Sequence, residues 1–206
     1  MPSANRRPIA VRSSGWAQRI ARVLARSKIT PNQISCLSVL FALLGAYALP
    51  TWPDWHGMLL CAICILLRLL CNLFDGMVAV EGGRGTATGS LYNEVPDRIA
   101  DVLFLLALGF VVNLPWLGWL NALLAVLTAY IRLLGDALGQ AQDFRGPMAK
   151  PHRMWLMGLM LVPAALLPDW SHRLLLITAI IIATGSALTC VLRLHAIARR
   201  LKDGSA

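Results

Sequence analysis

The chain has 206 residues, of which 57% are hydrophobic and 14% charged, and it carries a formal net charge of +9. That balance excludes an ordinary soluble domain and points to an integral membrane protein. The segments lack the alternating pattern of barrel strands, so helices, which satisfy their own backbone groups in lipid, are the expected element.

Residues 1–30 read as a cytoplasmic N-terminal segment. Arg6, Arg7 and Arg12 precede a polar, basic stretch with no cleavable apolar core, unlike a signal peptide. Trp16, Ile20, Val23 and Leu24 then share one helical face, with Arg19, Arg22 and Arg26 on another, which predicts an amphipathic helix lying at the membrane interface. Thr30-Pro31 resembles an N-cap followed by proline at the first helical position. Long apolar runs predict about six spanning helices, at residues 33–50, 57–80, 91–113, 115–138, 153–168 and 174–196. These runs form a membrane domain over residues 31–198, followed by a tail over 199–206.

The connections alternate in charge. Arg19, Arg22, Arg26 and Lys28 precede the first run. Arg84 lies between the second and third, Arg145, Lys150 and Arg153 lie between the fourth and fifth, and Arg199, Arg200 and Lys202 follow the sixth. The opposite connections carry one Lys or Arg, Arg173 in the last of them. The positive-inside rule therefore puts both termini and the polar turn after residue 80 on the cytoplasmic side. Topology and contact with anionic lipid account for the positive excess, so no nucleic-acid partner is expected. The five cysteines fall mostly inside apolar runs as small hydrophobes, and Cys61-x-x-Cys64 lacks the companions of a metal or redox motif.

Chemistry concentrates where the second run ends and the third begins. Arg68, Asn72, Asp75, Gly76 and Ala79 share one helical face. Gly76 and Ala79 leave room for a phosphate or for tight helix packing. Glu81 to Gly89 is Gly-rich and polar, but lacks the spacing and lysine of a P-loop. On the third run Asn93 precedes Glu94, Asp97 and Asp101, and these three acids fall within an arc of about 60°. Two oxygen-rich faces opposed across a helical hairpin suit a hard divalent cation that also holds a diphosphate. The alternative is structural, with Arg68 and Arg98 pairing with these acids. Arg132 and Asp136 stand four apart and can neutralise each other. The loop Gly146-Pro-Met-Ala-Lys150-Pro-His152-Arg153 is basic and suits phosphate-bearing ligands, or serves topology alone. His56, His172 and His195 lack ligand spacing.

These residues resemble the CDP-alcohol phosphotransferase family, whose signature is Asp-x2-Asp-Gly-x2-Ala-Arg-x8-Gly-x3-Asp-x3-Asp on the second and third of six membrane spans. The spacing is kept, and Asp75, Gly76, Ala79, Gly89 and Asp97 keep the family's residue types. Ile29-Thr-Pro-Asn-Gln-Ile-Ser35 resembles the motif that opens the family's first span, and Tyr130-x-Arg132 and Lys150-x-x-Arg153 resemble elements of some branches. The chain departs at Asn72, Asn93 and Val80, where the family has two aspartates and an arginine, which is similar to a divergent bacterial branch.

The resemblance implies an all-α membrane enzyme of phospholipid synthesis in the bacterial inner membrane. It would transfer a phosphatidyl group from CDP-diacylglycerol to an alcohol and release CMP. It also implies a Mg2+ or Mn2+ cofactor and a homodimer. Carried over position by position, Asp75 is the clearest metal ligand and Asp97 the candidate base and further ligand. Asn72 and Asn93 offer neutral carbonyl oxygens, and Glu94 restores one charge. Gly76, Ala79, Gly89, Arg68, Arg132, Lys150 and Arg153 are the expected substrate-binding residues. The lost carboxylates predict a higher metal requirement. They also motivate a rival reading, a non-catalytic relative that binds a CDP-lipid or a partner protein. A small transporter or scaffold is disfavoured by the absence of an internal repeat and by acids at one end of the spans.

Overall fold

A computed structural model describes residues 14–27, 29–81 and 88–204. These residues form seven helices: α1 (Gly15–Arg26), α2 (Pro31–Thr51), α3 (Trp55–Glu81), α4 (Gly89–Val111), α5 (Pro115–Ala137), α6 (Lys150–Leu166) and α7 (Pro168–Lys202). Four of them, α2, α3, α5 and α7, are long and apolar enough to cross a membrane. α4 is interrupted by Glu94, Asp97, Arg98 and Asp101, and α6 has only 17 residues, opening on Lys150 and Arg153. The ends of α2 to α6 lie within three residues of the expected runs, whereas α7 extends six residues beyond the 174–196 run at each end. Residues 1–13 and the Gly-rich stretch over 82–87 lie outside the described residues.

Local chemistry sets the helix starts. Thr30 caps α2, its hydroxyl accepting from the Gln33 N–H while the Gln33 side chain accepts from the Thr30 N–H, and Pro31 fills the first turn. Asp54 accepts from the N–H groups of His56 and Gly57 at the head of α3. Pro96, expected either in a first turn or as a kink, lies in the interior of α4, where its ring removes the N–H that would reach the Tyr92 carbonyl.

The six long helices close into a ring. α2 packs on α3 and α4, α3 on α6, α6 on α7, α7 on α5, and α5 back on α4. α3 and α4 themselves touch little, because α2 packs against both. Glycines allow the tight approaches: a Cβ on Gly109 of α4 would lie 2.4 Å from the Gly118 Cα of α5, and one on Gly45 of α2 would lie 2.8 Å from both Cys64 of α3 and Phe104 of α4. The main apolar core, including Leu49, Phe104, Leu108, Met157, Leu161 and Ile182, fills the ring. α1 lies against α3, with Ala17 and Ala21 buried on Leu73, Phe74 and Met77, and Trp16 edge-on to Phe74 at 6.3 Å. Trp16, Ile20 and Val23 remain exposed.

The up-and-down path separates the two ends of the ring. Residues 52–54, 112–114 and 167 make short connections at one end, whereas 138–149 make a long one at the other. The second end gathers the start of α2, the end of α3, the starts of α4 and α6, and the ends of α5 and α7. All the acids and bases of the expected site fall there.

Candidate active site

Two oxygen-rich helices face a set of cations at this end. Asp75 on α3 and Asp97 and Asp101 on α4 are all buried, and so are Arg68 on α3 and Arg153 on α6. Isolated charges at such depth are prohibitively costly, so each must find partners. Arg68 Nη2 donates to Asp101 Oδ1 at 2.7 Å, to Asp97 Oδ1 at 3.3 Å and to the Asp97 carbonyl at 3.2 Å. Lys150 Nζ pairs with Asp97 Oδ2. Arg153 reaches Asp101 Oδ2 at 3.2 Å through Nη2, while its Nη1 donates to the Met148 carbonyl at 2.9 Å and the Thr128 hydroxyl at 3.2 Å. A continuous network thus joins α3, α4 and α6.

Asp75 stands apart from that network. Its Oδ2 accepts from the Ser35 hydroxyl of α2 at 2.7 Å, whereas Oδ1 is buried with no hydrogen-bond partner. Lys150 and Arg68 lie within electrostatic reach of the carboxylate, and the Gly76 N–H lies beside it. An orphaned carboxylate oxygen is a strong ligand for a hard cation. The residues therefore fit a divalent ion at this position, with Asn72, half-buried one turn earlier, as the neighbouring oxygen donor. Among the described residues no group of three His, Cys, Asp or Glu side chains converges on a common point, because arginines and a lysine stand between the acids.

A second, shallower network surrounds Glu94. It accepts from Arg98 and from Arg132 of α5, each at 2.7 Å. Arg132 also donates to Gln142 and stands over the Phe144 ring at 5.7 Å. Arg132 therefore turns to Glu94, and Asp136 is met instead by the Gln142 amide at 3.3 Å. Asn93 is exposed, and Gly76, Ala79 and Gly89 are half-buried around the mouth of α3 and α4.

The basic loop is held in place by α7. Arg193 donates to the Arg145 carbonyl at 2.9 Å and the Thr128 carbonyl at 2.7 Å, and Thr189 accepts from the Met148 N–H at 3.0 Å. Gly146, at φ 115°, turns the chain where its Cβ would strike Thr189. Asp143 pairs with Arg145 and Arg200. These contacts fix the angle at which Lys150 and Arg153 enter the site.

Arg68, Asp97, Lys150 and Arg153 are thus joined in one network with Asp75 beside it, and Arg132 meets Glu94. The pairing of Arg68 and Arg98 with the acids, weighed as the structural alternative, is what the charge network shows. The two oxygen-rich faces belong to helices that scarcely pack on each other, so long basic side chains and not close helix contact bridge them. Sequence reasoning missed Arg193, Ser35 and the pivotal place of Asp101. An arginine amid the apolar residues Val191, Leu192 and Leu194 is the signal that points to Arg193.

No family model matches the chain. It is 28% identical over 148 residues to inner membrane protein YnbA of Escherichia coli, covering 71% of this chain and 74% of that protein. It is 31% identical over 139 residues to the archaetidylinositol phosphate synthase of Aeropyrum pernix, covering 66% of this chain and 69% of that protein. Its fold is that of the phosphatidylinositol phosphate synthase of Mycobacterium tuberculosis. The crystal structure with manganese and citrate superposes at a TM-score of 0.74 and 22% identity, over 88% of each chain. The one with CDP-DAG bound gives 0.73 and 24%, over 89% of this chain and 94% of that one.

Proposed function

The chain belongs to the CDP-alcohol phosphotransferase family, and on that premise we propose that it transfers a phosphatidyl group from CDP-diacylglycerol to an alcohol, releasing CMP. It is a phospholipid-synthesis enzyme of the phosphatidyltransferase class. The observation that supports this reading most directly is the meeting of Asp75, Asp97, Lys150, Arg68 and Arg153 at one end of the ring, where α3, α4 and α6 converge. Such a gathering of opposed charges suits a diphosphate and a hydroxyl nucleophile better than it suits packing, because buried ion pairs add little net stability.

In the reaction the acceptor oxygen forms a bond to the lipid-bearing phosphorus of the CDP-lipid. The bond from that phosphorus to the CMP oxygen breaks, and CMP leaves with the electron pair. Asp97 takes the hydroxyl proton as general base. It pairs with Arg68 and Lys150, and Lys150 must turn from it towards phosphate for the carboxylate to accept that proton. Arg68 and Arg153, anchored on Asp101, present fixed positive charge to the diphosphate. Gly76, Ala79 and Gly89 leave the backbone of α3 and α4 open to it. A divalent cation, held by Asp75 with Asn72, would offset charge on the diphosphate, whereas Asp97 and Glu94, expected as further ligands, are taken up by basic side chains and Asn93 is exposed. Arg132 and the basic loop favour an acceptor that itself carries a phosphate.

The same reading treats α2 to α7, within residues 31–198, as one multi-pass domain of the bacterial inner membrane. All six helices then span it, α4 and α6 included, because their charges face the ring interior and not lipid. α1 lies at the interface, and both termini and the site face the cytoplasm. A homodimer accords with the family.

The test is CMP release by the purified protein in lipid-containing detergent, given CDP-diacylglycerol, Mg2+ or Mn2+, and a pool of candidate acceptors. Metal-dependent release that disappears in Asp97→Ala supports the transferase, and mass spectrometry of the product lipid identifies the acceptor. Retained binding of CDP-diacylglycerol with no release would overturn it.

A further inference from the structure

Of the four acids on the facing sides of α3 and α4, three are already balanced by side chains. Glu94 has Arg98 and Arg132, and Asp101 has Arg68 and Arg153. Asp97 has Arg68 on Oδ1 and Lys150 on Oδ2, so neither of its oxygens is open. Among these four acids only Asp75 retains a buried carboxylate oxygen without a hydrogen-bond partner. Asn72 and Asn93 add oxygen atoms without charge. A second divalent cation would enter a region where five basic side chains already face four acids.

We propose that Lys150 is a resident cation that holds Asp97 in place of a second metal ion, so that the chain binds a single divalent cation, on Asp75. A lysine suits this place because its ammonium is a compact point charge on a flexible stem, unlike the planar fork of an arginine. It is delivered by a rigid support. Arg153, one turn along α6, is tied to the Met148 carbonyl and to Thr128, and the preceding loop is tied to Thr189 and Arg193. The ammonium that meets Asp97 is therefore set there by α5, α6 and α7 together. The inference rests on the proposed function only in that a divalent cation binds.

The test counts bound Mn2+ per chain by electron paramagnetic resonance of the free ion, on detergent-purified protein without substrate. The variants are Lys150→Met, Lys150→Gln and Asp75→Asn, each checked for folding by thermal melt. The native chain is expected to bind about one ion, and Lys150→Met or Lys150→Gln to gain a second. Asp75→Asn is expected to lose affinity by more than the roughly 10–100-fold that removal of an outer-shell partner costs. Two ions on the native chain, none on it, or no gain in either folded lysine variant would each overturn the proposal. CMP release measured in parallel separates the two readings. Release without bound Mn2+ removes the cation and leaves the transfer, whereas the single-ion pattern without release upholds the site and removes the transfer.

Discussion

Arg68 of α3 and Asp101 of α4 meet at 2.7 Å with both side chains withdrawn from solvent, although their helices barely touch. The pair works as a strut across the interior of the ring. Removing one member leaves the other buried with a single remaining charged partner, Arg153 for Asp101 or Asp97 for Arg68, and breaking a buried pair costs up to about 3–5 kcal/mol. Asp101→Ala and Arg68→Met are each expected to lower the melting temperature of the purified protein strongly. The double variant is expected to be less destabilised than the sum of the singles by about 0.5–3 kcal/mol, the range of direct coupling. Strict additivity would show that the two do not act together.

Asp97→Asn keeps the shape of the side chain and an oxygen for Arg68 but removes the proposed base. CMP release is expected to fall by about 10²–10⁴, the usual contribution of a positioned proton acceptor. Binding of the CDP-lipid, followed by calorimetry, is expected to persist. Unchanged turnover would move the base elsewhere.

Arg153 serves Asp101, Thr128 and Met148 at once through the fork of its guanidinium. Lysine cannot cover those three acceptors together. Arg153→Lys is therefore expected to cost about 1.5–3 kcal/mol for each charged hydrogen bond left unmade. Urea denaturation monitored by tryptophan fluorescence measures it, and a wild-type midpoint would show that the charge alone matters.

The α4–α5 hairpin depends on backbone contact between Gly109 and Gly118. A methyl group at Gly109 would meet Gly118 backbone atoms at 2.4 and 2.5 Å, so Gly109→Ala is expected to destabilise the protein by about 1–3 kcal/mol through overpacking. Gly15→Ala, where a Cβ meets open space, serves as the control. The monodisperse fraction after a heat challenge distinguishes the two.

The helices were legible because apolar length is a local property. Each expected run falls on a helix, and the capped start of α2 was visible in Thr30-Pro31. The site was partly legible, because motif spacing puts Asp75 and Asp97 on inward faces. What escaped was long-range. Ser35 reaches Asp75 across 40 residues of chain, and Arg193 reaches Thr128 across 65, and no periodicity reports such meetings. Asp101 was seen as one acid of an arc, but its place between two arginines required knowing that α3 and α6 pack together. The polar pairs also displaced a simpler expectation: Arg132 prefers Glu94 on a neighbouring helix to Asp136 on its own.

The charge network also imposes an order on assembly during synthesis. Arg68 is made 33 residues before Asp101, and Asp101 a further 52 before Arg153. The first basic helix thus finds its counter-charge as soon as α4 follows, and α2 to α4 then hold Arg68 and Arg98 against Asp75, Glu81, Glu94, Asp97 and Asp101, an excess of acid. Arg153 and Lys150 emerge later and meet acids already waiting in place. A nascent chain that stalled between α3 and α4 would hold Arg68 in the bilayer without the Asp97 and Asp101 that it otherwise meets.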